Sequence, residues 1–292
     1  MIKNPKYLSV FENFKEKSVP NIIKKISNLI RNDIKLNGNN YFNKNYNVDD
    51  INVNIIVEYR YGIKQPYYSN VNIYDIISGK EPIEIKVLVT DIQIDINYLM
   101  SVISHEIRHI YDIYTITDDV EINDFKKSLI VSEFKGSNDF INLIYLSLEH
   151  ELIARYNMLY ELFRWIEITD KKKLYEIFKE TYTYKALIYL KEFDHLKFIN
   201  NNPSLEDFTI KFSKRIGDNF NNNLIEYYKN WEIFFKKKSD EFMGYVDNLL
   251  DDVINDVENG KVYERLNGYI SYNEDIKNKV SYKLFENMIK EK

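Results

Sequence analysis

Cysteine is absent from the chain, so it can hold neither a disulfide nor a thiolate metal site, and any zinc ligand must be His, Asp or Glu. Histidine is nearly absent as well, with 4 in 292 residues. Glycine (8) and proline (5) are scarce, which leaves few tight turns and suits long helices. No stretch approaches the roughly 18 uninterrupted apolar residues of a membrane span, and Met1 to Val10 has no apolar run of signal-peptide length. These absences predict a soluble protein without a signal peptide or membrane span. The net charge is −5, with basic residues interleaved among acidic ones and not gathered on one segment, which argues against nucleic acid as a main partner. Tyrosine (25) and phenylalanine (17), by contrast, are plentiful.

Two of the four histidines fall in one pentapeptide, His105-Glu106-Ile107-Arg108-His109, set in the apolar run Tyr98 to Tyr114. From composition, a chance occurrence anywhere in the chain is about 0.4 %. Histidines four apart on a helix differ by about 40° in direction and about 6 Å in height, so both imidazoles can reach one ion. Glu106 sits beside them, placed to take a proton from a metal-bound water whose pKa the ion has lowered to near 7. Leu99, Val102, Ile103, Ile107 and Ile110 form a stripe that buries the segment. Polar groups beside a buried stripe are costly to desolvate without partners, and a cation supplies one. The alternative is a core helix whose histidines are satisfied by hydrogen bonds alone.

Periodicity predicts an α+β protein. Phe11 to Arg31 reads as a helix interrupted at Pro20, with Ile22, Ile23, Ile26, Leu29 and Ile30 on its apolar side. The Asn-rich stretch Asn37 to Asp50 reads as a loop. Ile51 to Tyr61 and Ile83 to Thr90 alternate as strands, with a third around Val71 to Ile77 and a turn at Ser78-Gly79-Lys80. Thr115 to Asn123 is polar, and the region to Asp139 has no assignment. From Ile141 the pattern is helical: Ile141 to Ile168, Lys171 to Phe198, a Ser204-capped helix to Ile216, and a long one from Leu224 to about Val257. Gly260 and Gly268 punctuate a charged tail that is helical from Asn273. A soft boundary at 140 separates an α+β part, 1–140, from a helical part, 141–292.

A helix with His-x-x-x-His gives two ligands, so a third must come from elsewhere. Leu148-Glu149-His150-Glu151-Leu152-Ile153-Ala154-Arg155 supplies the candidates. On a wheel Glu151 falls within the apolar face of Ile144, Leu148, Arg155, Met158 and Leu159, while Glu149 points about 160° from Glu151. Glu151 is therefore preferred, since a carboxylate at the edge of an apolar stripe needs a cation. An intrahelical Glu151 and Arg155 pair is the alternative, His150 is a rival ligand, and His195 reads as an ordinary helix residue. Asp112, seven residues after His105, shares the face of both histidines. It can fix an imidazole tautomer or form a surface pair with Arg108.

Together, His105, Glu106 and His109 with a downstream helix carrying Glu151 resemble the zincin metallopeptidases of the glutamate-ligand (gluzincin) type, over about Ile51 to Leu162. The resemblance implies a zincin-like core of a few-stranded sheet plus the motif helix, and Zn²⁺ as cofactor. His105, His109 and Glu151 would be its ligands, and Glu106 the general base. It also implies a cleft edged by the strand before the motif helix, matched to Ile83 to Thr90, and an oxyanion stabiliser, for which Tyr156, Tyr160 and Arg155 are the candidates. Arg108 departs from the pattern, in which that position is usually uncharged. His109-Ile110-Tyr111-Asp112 is in addition similar to zincin-like proteins of tailed bacteriophages of gut Bacteroidetes, which implies a virion-associated location as an alternative to a cytoplasmic one.

Two functions follow as expectations. The first is a zinc-dependent metallopeptidase, a hydrolase whose partner is a protein or peptide substrate. The second is a structural or assembly protein, virion-associated, that keeps the metal-binding domain as a scaffold. That reading places protein assembly on the aromatic-rich helical half, where Tyr227, Tyr228, Trp231, Phe234 and Phe235 cluster.

Overall fold

The computed structural model describes residues 21–37, 41–48, 51–59, 67–72, 75, 81–89, 96–115, 127–134, 138–218 and 220–259. Within these the protein is mixed α+β, with a four-stranded sheet and predominantly helical content. The expectations for Met1 to Val10, the first helix before Asn21, the Ser78-Gly79-Lys80 turn, Ile116 to Asn123, Gly260, Gly268 and the tail from Asn273 lie outside the described residues. The chain divides into two compact units, each gathered from separate stretches. Position 140 falls inside one of them.

The first unit, whose described parts come from 17–118, 153–174 and 250–292, holds the sheet and the motif. Strands β1 (Tyr41–Val48), β2 (Ile51–Tyr59), β3 (Tyr67–Val71) and β4 (Ile83–Val89) are ordered β1-β2-β4-β3, with β2 parallel to β4 and the other two pairs antiparallel. The register puts Tyr46 opposite Val53, Val57 opposite Val87 and Val71 opposite Ile85, so these side chains share one face. Val53, Ile55, Ile83, Ile85, Val87 and Val89 are fully buried or nearly so on that face. The opposite face carries Asn54, Glu58, Glu84 and Lys86, with a 2.9 Å ion pair between Lys86 and Glu58. That face is mostly polar, with Ile56 its buried exception, the pattern of a sheet covered mainly on one side.

Helices Asn21–Asn37 and Ile96–Thr115 pack against each other and against the sheet. They bring Ile23, Ile26 and Ile30 from the one, and Leu99, Met100, Ile103, Ile107 and Ile110 from the other, all at 0–1 % exposure. Each such side chain contributes about 1.5–3 kcal/mol. The first helix runs six residues past Arg31, and Leu29 is exposed.

Within the Asn-rich stretch, residues 38–40 and 49–50 lie outside the described residues, while Tyr41–Val48 is a strand and not a loop. Asn43, Asn45 and Asn47 line its exposed side while Phe42, Tyr46 and Val48 point inward, and Lys44, the exception on the inner series, forms a 2.8 Å ion pair with Asp33. A strand lies at Tyr67–Val71, meeting the third strand expected at Val71 to Ile77 only at Val71, and residues 73, 74, 76 and 77 of that expectation lie outside the described residues.

A helix at Glu149–Ile166 belongs to this unit from Ile153 onward. Asn157, fully buried, fastens it to the motif helix by donating from Nδ2 to the Ser104 carbonyl at 3.1 Å and to Ser104 Oγ at 2.5 Å. Toward its end, Glu161 accepts from Arg164 at 2.6 Å and from Trp165 Nε1 at 3.0 Å. Burial pushes the Glu161 carboxyl up, and Arg164 opposes that. The guanidiniums of Arg31 and Arg164 lie 4.0 and 4.5 Å from the Trp165 ring, tying this helix to the first.

The second unit, with described parts from 119–152 and 175–249, is helical. What periodicity read as single helices is broken: Asp139–Ser147 ends before extended Leu148, and Lys171–Glu180, Tyr182–Lys191 and His195–Asn200 replace one run. The breaks use hydroxyls and carboxylates where glycine and proline are missing. Thr181 Oγ1 donates to the Phe178 carbonyl and accepts from the Tyr184 amide, while Asp194 caps Lys197. Leu205–Ile216 follows Ser204 as expected, although that serine makes no side-chain cap. The long helix is Leu224–Glu258.

Its aromatic cluster is core and not surface. Tyr227, Tyr228, Phe234 and Phe235 are 0–8 % exposed, and Phe140 sits among Phe193, Phe198, Phe212, Tyr228, Trp231 and Phe235 at ring separations of 4.7–6.2 Å. Four of the five residues expected to form an assembly surface therefore lie in the interior of this unit, and Trp231 is half-buried.

Candidate metal centre

The motif helix delivers its two imidazoles side by side. His105 Nε2 and His109 Nε2 are 3.2 Å apart, with rings perpendicular at 89°. With zinc–nitrogen distances of about 2.0–2.1 Å, two ligands of a tetrahedral ion lie about 3.3 Å apart, so this separation suits a shared ion. It is equally the separation of an N–H···N hydrogen bond.

Glu151 discriminates further. Its carboxylate and the two imidazoles form a group of potential ligand atoms lying within 4.8 Å of one another, with Glu151 only 1 % exposed. At most about 1.5 Å separates this from a closed ligand triangle, within reach of a side chain with three rotatable bonds. Two neutral nitrogens and one carboxylate, leaving a fourth position open, are the donor set of a catalytic zinc site. The helix bearing Glu151 starts at Glu149, so its wheel is phased from there and not from Ile144.

The neighbouring candidates face other groups. Glu149 lies near Lys238, whose ammonium pKa burial lowers while Glu241 and Glu149 oppose that shift. His150 is buried with Nε2 4.0 Å from Glu151 Oε1, and it is not a member of the ligand group. Asp112 accepts from Arg108 Nε at 2.7 Å, and both are buried, at 8 % and 3 % exposure, so the expected surface pair is an interior one. Arg108 thus has an anionic partner one turn along its own helix.

Of the three oxyanion candidates, Tyr160 donates to Asp256, and burial followed by that carboxylate holds its hydroxyl pKa far above the usual range. Tyr156 is pushed up to about 12 by burial and by the nearby charge of Asp252. On the wheel these tyrosines point about 180° and 140° from Glu151. Arg155, 7 % exposed and about 40° from Glu151, remains on the ligand's face.

Glu106 is 6 % exposed, and its Oε1 accepts a hydrogen bond from Ser69 Oγ at 2.5 Å. Ser69 lies on β3, the outermost strand on that side of the sheet, opposite buried Val87. Sequence reading missed Ser69 and Asn157. The strand preceding the motif helix, β4, is interior, so β3 takes the edge position expected of Ile83 to Thr90.

A second group, Asp194, His195 and Glu232, also has potential ligand atoms within 4.8 Å. Its geometry is that of a hydrogen-bonded clamp. Glu232 Oε2 accepts from the His195 amide at 3.0 Å and lies 2.6 Å from His195 Nδ1, while Lys236 occupies Oε1 at 2.5 Å. A contact of 2.6 Å is too short for two ligands of one zinc ion, and the lysine already neutralises the carboxylate.

No family model matches the chain, and no curated protein or solved structure matches it either. Among the described residues, no helix is long and apolar enough to cross a membrane.

Proposed function

We propose that the protein is a zinc-dependent metallopeptidase with a zincin-like core, in which His105, His109 and Glu151 hold the ion. The observation that carries this reading is the gathering of those three side chains with Glu106 beside them on the motif helix. Zinc, when bound there, supplies a Lewis acid that acidifies water and polarises a carbonyl. Glu106 takes the proton of the attacking water at its carboxylate and returns it to the leaving amine. Ser104, held by Asn157, precedes His105 directly, so the same contact that packs the two helices fixes the first imidazole relative to the helix of Glu151. Arg155, on the same side of its helix as Glu151, would stabilise the developing oxyanion. Among the described residues β3 is an edge strand of the sheet, and an extended peptide substrate would pair along it beside Glu106.

Of the five rings on which the scaffold alternative drew, Tyr227, Tyr228, Phe234 and Phe235 are buried within the chain itself, which favours the enzyme reading. The test is Glu106→Gln. It keeps zinc and loses hydrolysis of a denatured protein substrate by on the order of 10²–10⁴-fold. Loss of zinc in that variant would mean that Glu106 is a ligand and not a base.

A further inference from the structure

We propose that Ser69 is the positioning residue for Glu106, fixing which carboxylate oxygen is available for proton transfer. Its role in turnover rests on the peptidase reading above, whereas its contact with Glu106 does not. Glutamate reaches its target through three rotatable bonds, and a free carboxylate can rotate either oxygen toward the reacting centre. The Ser69 hydroxyl donates to Oε1 at 2.5 Å, which occupies that oxygen and sets the carboxylate plane, leaving Oε2 as the proton acceptor.

Three features make this more than a surface contact. Glu106 is 6 % exposed, so the hydrogen bond forms where water competes poorly. Ser69 stands in an inward series with Val71, opposite Val87 and Ile85, two positions that are fully buried. An apolar residue would satisfy the alternation there, and the hydroxyl instead meets a carboxylate. Finally, β3 is bonded to β4 across five residue pairs, Tyr67 with Val89 through Val71 with Ile85, so Ser69 is carried by a sheet and not by a mobile loop.

The experiment uses the full chain in two arms. In the first, thermal unfolding of the metal-free protein is measured for Ser69→Ala, Glu106→Ala and the double variant. Ser69→Ala should lower the midpoint by roughly 3–10 °C in the wild-type background and by less than about 2 °C when Glu106 is already alanine. Equal losses in both backgrounds would overturn the assignment, whether or not the protein is a peptidase. In the second arm, Ser69→Ala should lower kcat roughly 10- to 100-fold on a denatured protein substrate, with KM and the zinc dissociation constant within about twofold of wild type. Ser69→Thr, which keeps the hydroxyl, should recover most of kcat. An unchanged kcat in Ser69→Ala, or loss of zinc alongside kcat, would overturn the positioning role. A zinc-loaded wild type that hydrolyses nothing would overturn the peptidase reading, and the unfolding arm would still decide for or against Ser69.

Discussion

Replacing Glu151 with alanine should abolish the stabilisation that zinc confers, and replacing Glu149, two residues away, should not. A ligand that binds only the folded state stabilises it by RT ln(1 + [L]/Kd), or about 2.7 kcal/mol when zinc stands at 100 times its dissociation constant. For a chain of this size each kcal/mol moves the unfolding midpoint by about 2–4 °C, so the wild type should gain about 5–11 °C. Glu151 supplies one of three protein donors in the ligand group and is 1 % exposed. Its loss should exceed the 10- to 100-fold typical of groups that only support a ligand. A 100-fold weaker site at the same zinc concentration retains about 0.4 kcal/mol, a shift of about 1 °C. Glu149 is not in that group and lies near enough to Lys238 to raise its pKa, so Glu149→Ala should keep the full shift. Differential scanning fluorimetry with and without zinc, paired with chelator competition, reads both quantities. Similar losses in the two variants, or none in Glu151→Ala, would refute the assignment.

Two further outcomes test the helical unit. Phe140→Ala removes the ring around which six aromatic side chains pack, and should cost about 3–5 kcal/mol, read as a fall in the denaturant midpoint; a loss under about 1 kcal/mol would return those rings to the surface. Burial alone would raise the Glu232 carboxyl, but Lys236 and the amide and imidazole of His195 lower it from its ordinary 4.5 to about 2. The unfolded state therefore binds protons first. The clamp's contribution is full above about pH 4.5 and is lost as pH falls toward 2. Glu232→Gln should flatten that acid limb of the midpoint-versus-pH curve, and an unchanged slope would exclude the clamp as its source.

The parts of the fold that could be read from the chain are those in which one physical demand dominates. Ile83 to Thr90 alternates because one face of β4 is buried, and the motif helix shows its stripe because Ile103, Ile107 and Ile110 all enter the core. His105, Glu106 and His109 were legible because helix spacing alone brings them together. Glu151 was chosen among three adjacent candidates by the need of a buried carboxylate for a cation. β1 was hidden because its solvent-facing positions are the asparagines Asn43, Asn45 and Asn47, and such a run reads as a loop. The helix breaks at Leu148 and Thr181 carry no glycine or proline, although Thr181 and Asp194 were readable as caps. The aromatic cluster misled because rings suit interfaces and cores equally, and only their neighbours decide. Ser69 depends on a strand-to-helix contact 37 residues apart in sequence, which no local pattern reports.

The central claim is that the gathered histidines and Glu151 hold zinc, and metal analysis of the purified, dialysed protein tests it most directly. Wild type should carry about one zinc per chain, and His105→Ala and Glu151→Ala far less, with each variant shown to be folded by its circular dichroism. Equal zinc in wild type and both variants, or negligible zinc in a folded wild type supplied with the metal, would contradict the account.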